Sequence, residues 1–328
     1  MIIGRVVAAA FLAAAVLLPM PAHGQAPVKP ARIGFIAASG PEREQPLLVA
    51  FRAAMRDLGH REGVTFTLEE RYAGGAFDTL PAIAAELLKR GADILLCAGA
   101  PAAQGARRVT SSVPIVMTNA ADPVGTGLVA SLARPGGNIT GLSDFNEGVV
   151  MKRLEILKEI IPSLTRVAVL YNPANPTNPR QLKLTQEAAR PLGISVLALE
   201  VRGADDVARA SAAIQKERPG ALLAIGDPAL GSLRPQLVDL AARYRLPASF
   251  SGKDSIDLGG LMSYGTRFED LYRRAATYVD RVLKGANPAD LPIEQPSTFE
   301  FVLNLRTARA LGLTIPRSVV LRADRVIE

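Results

Sequence analysis

An order of elements that runs once and then restarts constrains this 328-residue chain more than any motif in it. Ile33 to Ala37 is a continuous apolar run, as expected of a strand buried on both faces of a parallel sheet. Leu47, Leu48, Phe51, Ala54, Met55 and Leu58 follow at spacings that share one helical face, and Gly59 closes that helix. A second helix carries Leu80, Ile83, Ala84, Leu87 and Leu88 and stops at Gly91. Short strands come next at Ile94 to Cys97 and Ile115 to Met117, and Val150, Leu154, Leu157 and Ile161 mark a helix that Pro162 ends. Then Arg166-Val167-Ala168-Val169-Leu170 repeats the character of Arg32-Ile33-Gly34-Phe35-Ile36 at an offset of 134. Leu192-Gly193 repeats Leu58-Gly59 at the same offset, and Leu246-Pro247 repeats Val113-Pro114 at 133. Identities are few, so the echo is one of architecture. It predicts an α/β fold of two doubly wound parallel-sheet lobes in preference to one long sheet.

The C-terminal stretch starts no third lobe. Phe268, Leu271, Tyr272, Ala275, Val279 and Val282 make a helix that Gly285 and Pro288 break. Pro292 to Pro296 is an extended connector, Phe299 to Leu303 a strand, and Arg306 to Leu311 a short helix closed by Gly312. Spare elements after a finished lobe return to the lobes already built. That predicts a three-segment hinge near 143–147, 264–266 and 288–296. The first lobe is then 27–143 plus 266–290, and the second 148–264 plus 297–328.

Residues 1–24 read as a cleaved secretory signal. Arg5 is the positive start, Val6 to Leu18 the apolar run, and Ala22 and Gly24 the small residues of the cleavage site. No Cys follows the run, so the protein is not expected to be a lipoprotein. A periplasmic location is the expectation. Cleavage removes His23 and leaves His60 as the chain's remaining histidine.

Scarcity excludes several chemistries. One Cys allows no internal disulfide and no Cys-rich metal site, and two His allow no His-based metal cluster. No phosphate loop and no Gly-x-Ser-x-Gly elbow is present. Gly125-Thr126-Gly127-Leu128-Val129-Ala130 fits a dinucleotide fingerprint only nominally, because Thr118 to Val124 separates it from the preceding strand. It reads as turn chemistry, and no cofactor is expected. Cys97 ends a buried strand and reads as a core thiol. The net charge of +7 is scattered among acids without a basic run, which points to no nucleic-acid partner. The absence of Trp argues against a Trp-stacked sugar site.

In doubly wound sheets ligands bind beyond the carboxyl ends of strands. Those loops contain Ser39, Gly99-Ala100 and Asn119 in the first lobe, and Tyr171 to Asn175, Gly226-Asp227-Pro228 and Ser251 in the second. Small residues let a ligand reach backbone N–H groups, and helix starts favour an anion. Each loop alone is equally an ordinary strand–helix turn. The duplication lets both sets face one cleft.

The stretch Asp122 to Ser143, Asp-Pro-Val-Gly-Thr-Gly-Leu-Val-Ala-Ser-Leu-Ala-Arg-Pro-Gly-Gly-Asn-Ile-Thr-Gly-Leu-Ser, resembles the signature of the tryptophan/tyrosine-type ABC transporter substrate-binding protein family. Ser263-Tyr264-Gly265, Arg273 to Asp280, Leu283 to Pro292, Glu294-Gln295-Pro296 and Arg322 to Glu328 fit it as well. The resemblance implies a type I periplasmic-binding fold without catalysis or metal. It also implies a monomer that takes a small molecule, an amino acid or small carboxylate, to an ABC permease of the inner membrane. In the family an Asp after a second-lobe strand binds the ligand's amino group, and Asp227 has that place here. Ser39, Gly99 and Ala100 would hold a carboxylate, with Asn119, Ser143, Asn175 and Ser251 completing the polar set. Phe145, Tyr171 and Phe250 would supply apolar walls, with core packing or a lid role as equal alternatives. Two other functions stay open: an exported sensory ligand-binding protein, and a cleft enzyme using Asp227 or Asp122.

Overall fold

The computed structural model describes residues 29–144 and 147–328. Residues 1–24, expected to be a signal, and Phe145 therefore lie outside the described residues. The first lobe is built from β1 (Ala31–Ala37), α1 (Pro41–Asp57), β2 (Phe66–Tyr72), α2 (Leu80–Lys89), β3 (Ile94–Ala98), α3 (Ala100–Arg107), β4 (Ile115–Met117) and β5 (Ile139–Gly141). Its sheet runs β2-β1-β3-β4-β5, every pair parallel. The second lobe follows with α4 (Glu147–Ile160), β6 (Arg166–Tyr171), α5 (Asn178–Ala189), β7 (Ser195–Glu200), α6 (Ala204–Glu217), β8 (Ala221–Ala224), α7 (Pro228–Ser232), α8 (Arg234–Arg243), β9 (Ala248–Phe250), α9 (Asp254–Asp257) and β10 (Met262–Thr266). After α10 (Phe268–Leu283) come β11 (Phe299–Asn304), α11 (Leu305–Leu311), α12 (Arg317–Val320) and β12 (Arg325–Ile327). The second sheet runs β12-β11-β10-β9-β8-β6-β7. It departs from an all-parallel sheet in one place, where β11 runs antiparallel to β10.

Each sheet is covered on both faces, which is why its central strands read as unbroken apolar runs. In β1, Ile33, Phe35 and Ala37 face the core under α1, while Ile36 faces the opposite core under α2 and α3. In β6, Val167 and Val169 meet α4 and α5, and Ala168 and Leu170 meet α6 and α8.

α10 crosses back to the first lobe. Its Leu271, Tyr272, Ala275, Ala276, Tyr278 and Val279 are buried against Leu47, Leu48, Phe51 and Met55 of α1. Burying a large apolar side chain such as Leu271 or Val279 contributes ~1.5–3 kcal/mol, which fixes the helix there. The chain stays with the first lobe through Glu294, whose N–H donates to Gly141 (3.1 Å) and whose carbonyl accepts from Ser143 (2.8 Å). It returns to the second sheet at Phe299. Three crossings result, after Ser143, around Arg267, and from Glu294 to Phe299. They are cross-linked. The Thr266 hydroxyl donates to the Asp144 carbonyl at 3.3 Å, and Leu142 bridges Glu294.

Candidate functional site

The carboxyl ends of β1, β3 and β4 face those of β6, β8 and β9 across a narrow cleft. A cavity of about 40 Å³ lies there, bordered by Ser39, Gly99, Ala100 and Asn119 from the first lobe and by Asn175, Asp227 and Ser251 from the second. A second hollow of about 80 Å³ shares Ala121, Asp144, Gly226, Ser251 and Phe268 with it. Val149, Val150 and Tyr264 give that hollow its apolar side. The lobes touch at this level: a Cβ placed on Gly99 would lie 3.5 Å from Pro228 Cγ. Gly99 also has φ +91°, a backbone conformation that favours glycine, so the turn into α3 depends on it.

The polar groups of the cavity are mostly committed to one another. Glu44 is buried in the first turn of α1 and accepts from the Ser39 hydroxyl and from the Tyr272 hydroxyl of α10. It thereby ties the strand end, α1 and α10 together. Asp227 accepts from Asn175 Nδ2 at 2.7 Å, Asn172 Nδ2 at 3.3 Å and the Leu230 N–H at 2.9 Å, the last capping α7. Burial pushes its carboxyl above the usual range, and these donors only partly offset that. Asn175 is itself held, because its Oδ1 accepts from the Thr177 N–H and hydroxyl.

Asp144 differs. Its Oδ1 is closed off from solvent and meets no donor among the described residues. Burial pushes its carboxyl up to about 6, against the pull of the Arg43 charge. The Arg43 guanidinium lies 4.7 Å from the centre of the Phe268 ring and 3.5 Å from Glu44. Below the second hollow, Arg153 is buried, and its guanidinium donates to the Ala224 carbonyl (2.8 Å), the Ser249 carbonyl (2.7 Å) and Ser249 Oγ (3.1 Å). Burial lowers it to about 9. It fastens α4 to the ends of β8 and β9.

On the outer rim, Arg180 of α5 pairs with Asp122 of the first lobe and with Glu147 (2.8 Å) of the second. Gly125 makes room for this pair. A Cβ there would press on Asp122 Oδ2 and lie 2.6 Å from Arg180 Nη1. The glycines of the nominal dinucleotide fingerprint are thus turn residues beside an ion pair.

Seven of the residues expected from sequence border the cavity: Ser39, Gly99, Ala100, Asn119, Asn175, Asp227 and Ser251. Two do not. Ser143 is buried, and its N–H holds the third crossing through Glu294. The Tyr171 hydroxyl donates to Glu200 (3.1 Å) on the neighbouring edge strand. Phe250 packs in the second-lobe core. Arg43, Glu44, Asp144, Thr177 and Phe268 also line the cavity and were not anticipated. Most of them sit in helix first turns or at crossings, outside the strand-end loops. Asp144 directly follows the signature stretch, which ended at Ser143. His60 is remote from the cleft, bonded to Asp280 at 2.9 Å. Among the described residues no three His, Cys, Asp or Glu side chains gather as a metal site.

A family model described as ABC transporter substrate binding protein matches residues 45–327. A tyrosine-binding protein of Clostridioides difficile (strain R20291) is 27% identical over 263 residues, covering 80% of this chain and 75% of that protein. An ABC domain from Streptococcus pneumonia, solved in complex with L-Trp, superposes with TM-score 0.86 at 26% identity, over 91% of this chain and 100% of that one. A conserved domain protein from Vibrio cholerae superposes with TM-score 0.86 at 27% identity over the same shares.

Proposed function

This chain belongs to the ABC transporter substrate-binding protein family, whose members are binding proteins and not enzymes, and from that premise we propose that it captures an aromatic amino acid between its lobes and delivers it to an inner-membrane permease. The carrying observation is the convergence of strand-end residues from both lobes on one cavity. The relatives named for tyrosine and bound to L-Trp supply the ligand class. The start of α3 at Gly99-Ala100 borders the cavity and suits a carboxylate. Tyr264, Phe268, Val149 and Val150 suit an aromatic ring.

The two hollows are far smaller than the ~300 Å³ of an ordinary small-molecule pocket. Entry therefore requires the lobes to part about the three crossings, and the arrangement described here is a closed one. A ligand that contacts both lobes binds the closed form better and shifts the population toward it. Residues 1–24 direct the chain to the periplasm in this reading.

Thermal melting across the twenty amino acids tests it. At about a hundredfold excess over Kd, a ligand adds ~2.7 kcal/mol and raises Tm by roughly 4 °C or more. L-Tyrosine or L-tryptophan should do so, and uptake of the labelled amino acid should require both this chain and the permease. A folded protein with no shift for either aromatic amino acid overturns the reading.

A further inference from the structure

Of the cleft's carboxylates, Glu44 is held by the Ser39 and Tyr272 hydroxyls, and Asp227 and Asp144 are in opposite states. A carboxylate offers about four lone-pair positions. Asp227 already has donors at 2.7, 2.9 and 3.3 Å. Each is fixed elsewhere: Leu230 N–H belongs to α7, Asn175 is locked by Thr177, and Asn172 Oδ1 accepts from the Ala174 N–H at 3.0 Å. Asp227 is thus spent on shaping the second-lobe loops. Asp144 borders both hollows, and its Oδ1 has no donor among the described residues and no access to solvent. The nearby Arg43 does not supply one, since its guanidinium is placed against Phe268 and Glu44. A buried acceptor without a donor is costly, and a folded protein keeps one where another gain offsets it.

We propose that Asp144, and not Asp227, receives the ammonium group of the ligand in this cleft. The proposal rests on the reading that the cleft holds an aromatic amino acid. It places the charged contact on the first crossing itself, where the Asp144 carbonyl is bonded to Thr266 of the second crossing. Ligand capture and lobe closure then meet at one residue.

The test compares ligands with and without the amine. L-Tyrosine and L-tryptophan are titrated calorimetrically beside 3-(4-hydroxyphenyl)propionate and 3-(indol-3-yl)propionate. The proteins are the wild type, Asp144→Asn and Asp227→Asn, with Asp144→Ala as a second variant that adds no donor. Circular dichroism and melting confirm folding. In the wild type the amine should improve affinity by roughly 10- to 100-fold, the range of a charge-assisted bond. The ratio should fall to within about threefold in both Asp144 variants and persist in Asp227→Asn, whatever the absolute affinities, since a double-mutant cycle isolates the pair. A ratio kept in the Asp144 variants, or lost only in Asp227→Asn, overturns the proposal. Equal wild-type affinity for the amine-free acids overturns it too, while leaving the cleft reading intact. A wild type that binds none of the four defeats both.

Discussion

Replacing Arg180 by Gln removes one of the side-chain bonds that join the lobes, the Lys253–Glu269 pair (2.6 Å) being another. Among the described residues Arg180 makes two ion pairs, and of these the one with Asp122 crosses between lobes; Glu147 lies on the same side as Arg180. Only the first is broken when the lobes part. The Asp122 side chain is 11% exposed and that of Arg180 46%, so the pair is half-solvated. Exposed pairs contribute ~0.2–1 kcal/mol, and this one belongs near the upper end, at about 1 kcal/mol. If ligand binds the closed form, that loss appears as a roughly fivefold weaker apparent Kd without any contact to the ligand. Titration calorimetry at low salt reads the affinity, and small-angle scattering reads the radius of gyration of the ligand-free protein, which should rise. At 1 M salt, where the screening length is ~3 Å, wild type and variant should converge. Gly125→Ala should reproduce the effect, because its methyl carbon would occupy the space of the pair. Equal affinities at low salt, or a deficit that survives 1 M salt, would refute the reasoning.

Two further outcomes follow from the cleft. The Asp144 carboxyl rises from the usual 3.8 to about 6, so between these values the folded protein holds a proton that the unfolded chain has released. Its contribution to stability is therefore intact at about pH 4 and is lost as the pH rises through 6. In urea unfolding of ligand-free protein, Asp144→Asn should gain on the wild type by up to roughly 3 kcal/mol between pH 4 and pH 7; a difference that stays flat with pH contradicts this. Gly99→Ala should lower stability by ~1–2 kcal/mol, because φ +91° is unfavourable for a residue with a side chain. An unchanged denaturation midpoint would mean that the turn relaxes.

The central strands were legible because burial on both faces demands uninterrupted apolar residues, as in Ile33 to Ala37 and Val167 to Leu170. The outer strands were less so. β2, with Glu69, Glu70 and Arg71, and β7, with its exposed Ser195 and Glu200, lie at sheet edges, where only part of each strand is covered. The antiparallel direction of β11 was not readable, since it depends on where the returning chain enters the sheet. At the site, residues following strands were found because the doubly wound topology puts them at one edge. Arg43, Glu44, Asp144 and Phe268 were missed because long-range packing brings them in. Glu44 reaches the cleft through the Tyr272 hydroxyl, 228 positions away in sequence. Tyr171, for which a wall, packing or lid role stood equal, turns toward its neighbouring strand at Glu200, as a strand-end aromatic can as readily as toward the cleft.

The return of α10 has a consequence for the order in which the protein is made. The first lobe's sheet is complete at Gly141, yet the apolar face of α1 stays uncovered until Leu271 to Leu291 have emerged. The second lobe in turn waits for β11 and β12. Neither half can finish as an early, self-contained domain during synthesis, and no single cut separates the chain into two whole lobes. Pairings this distant fold slowly and leave adhesive surface exposed meanwhile. The nascent chain thus has reason to engage a holding chaperone until nearly all of it is present. If the chain is exported as proposed, threaded across a membrane before it folds, that delay is useful.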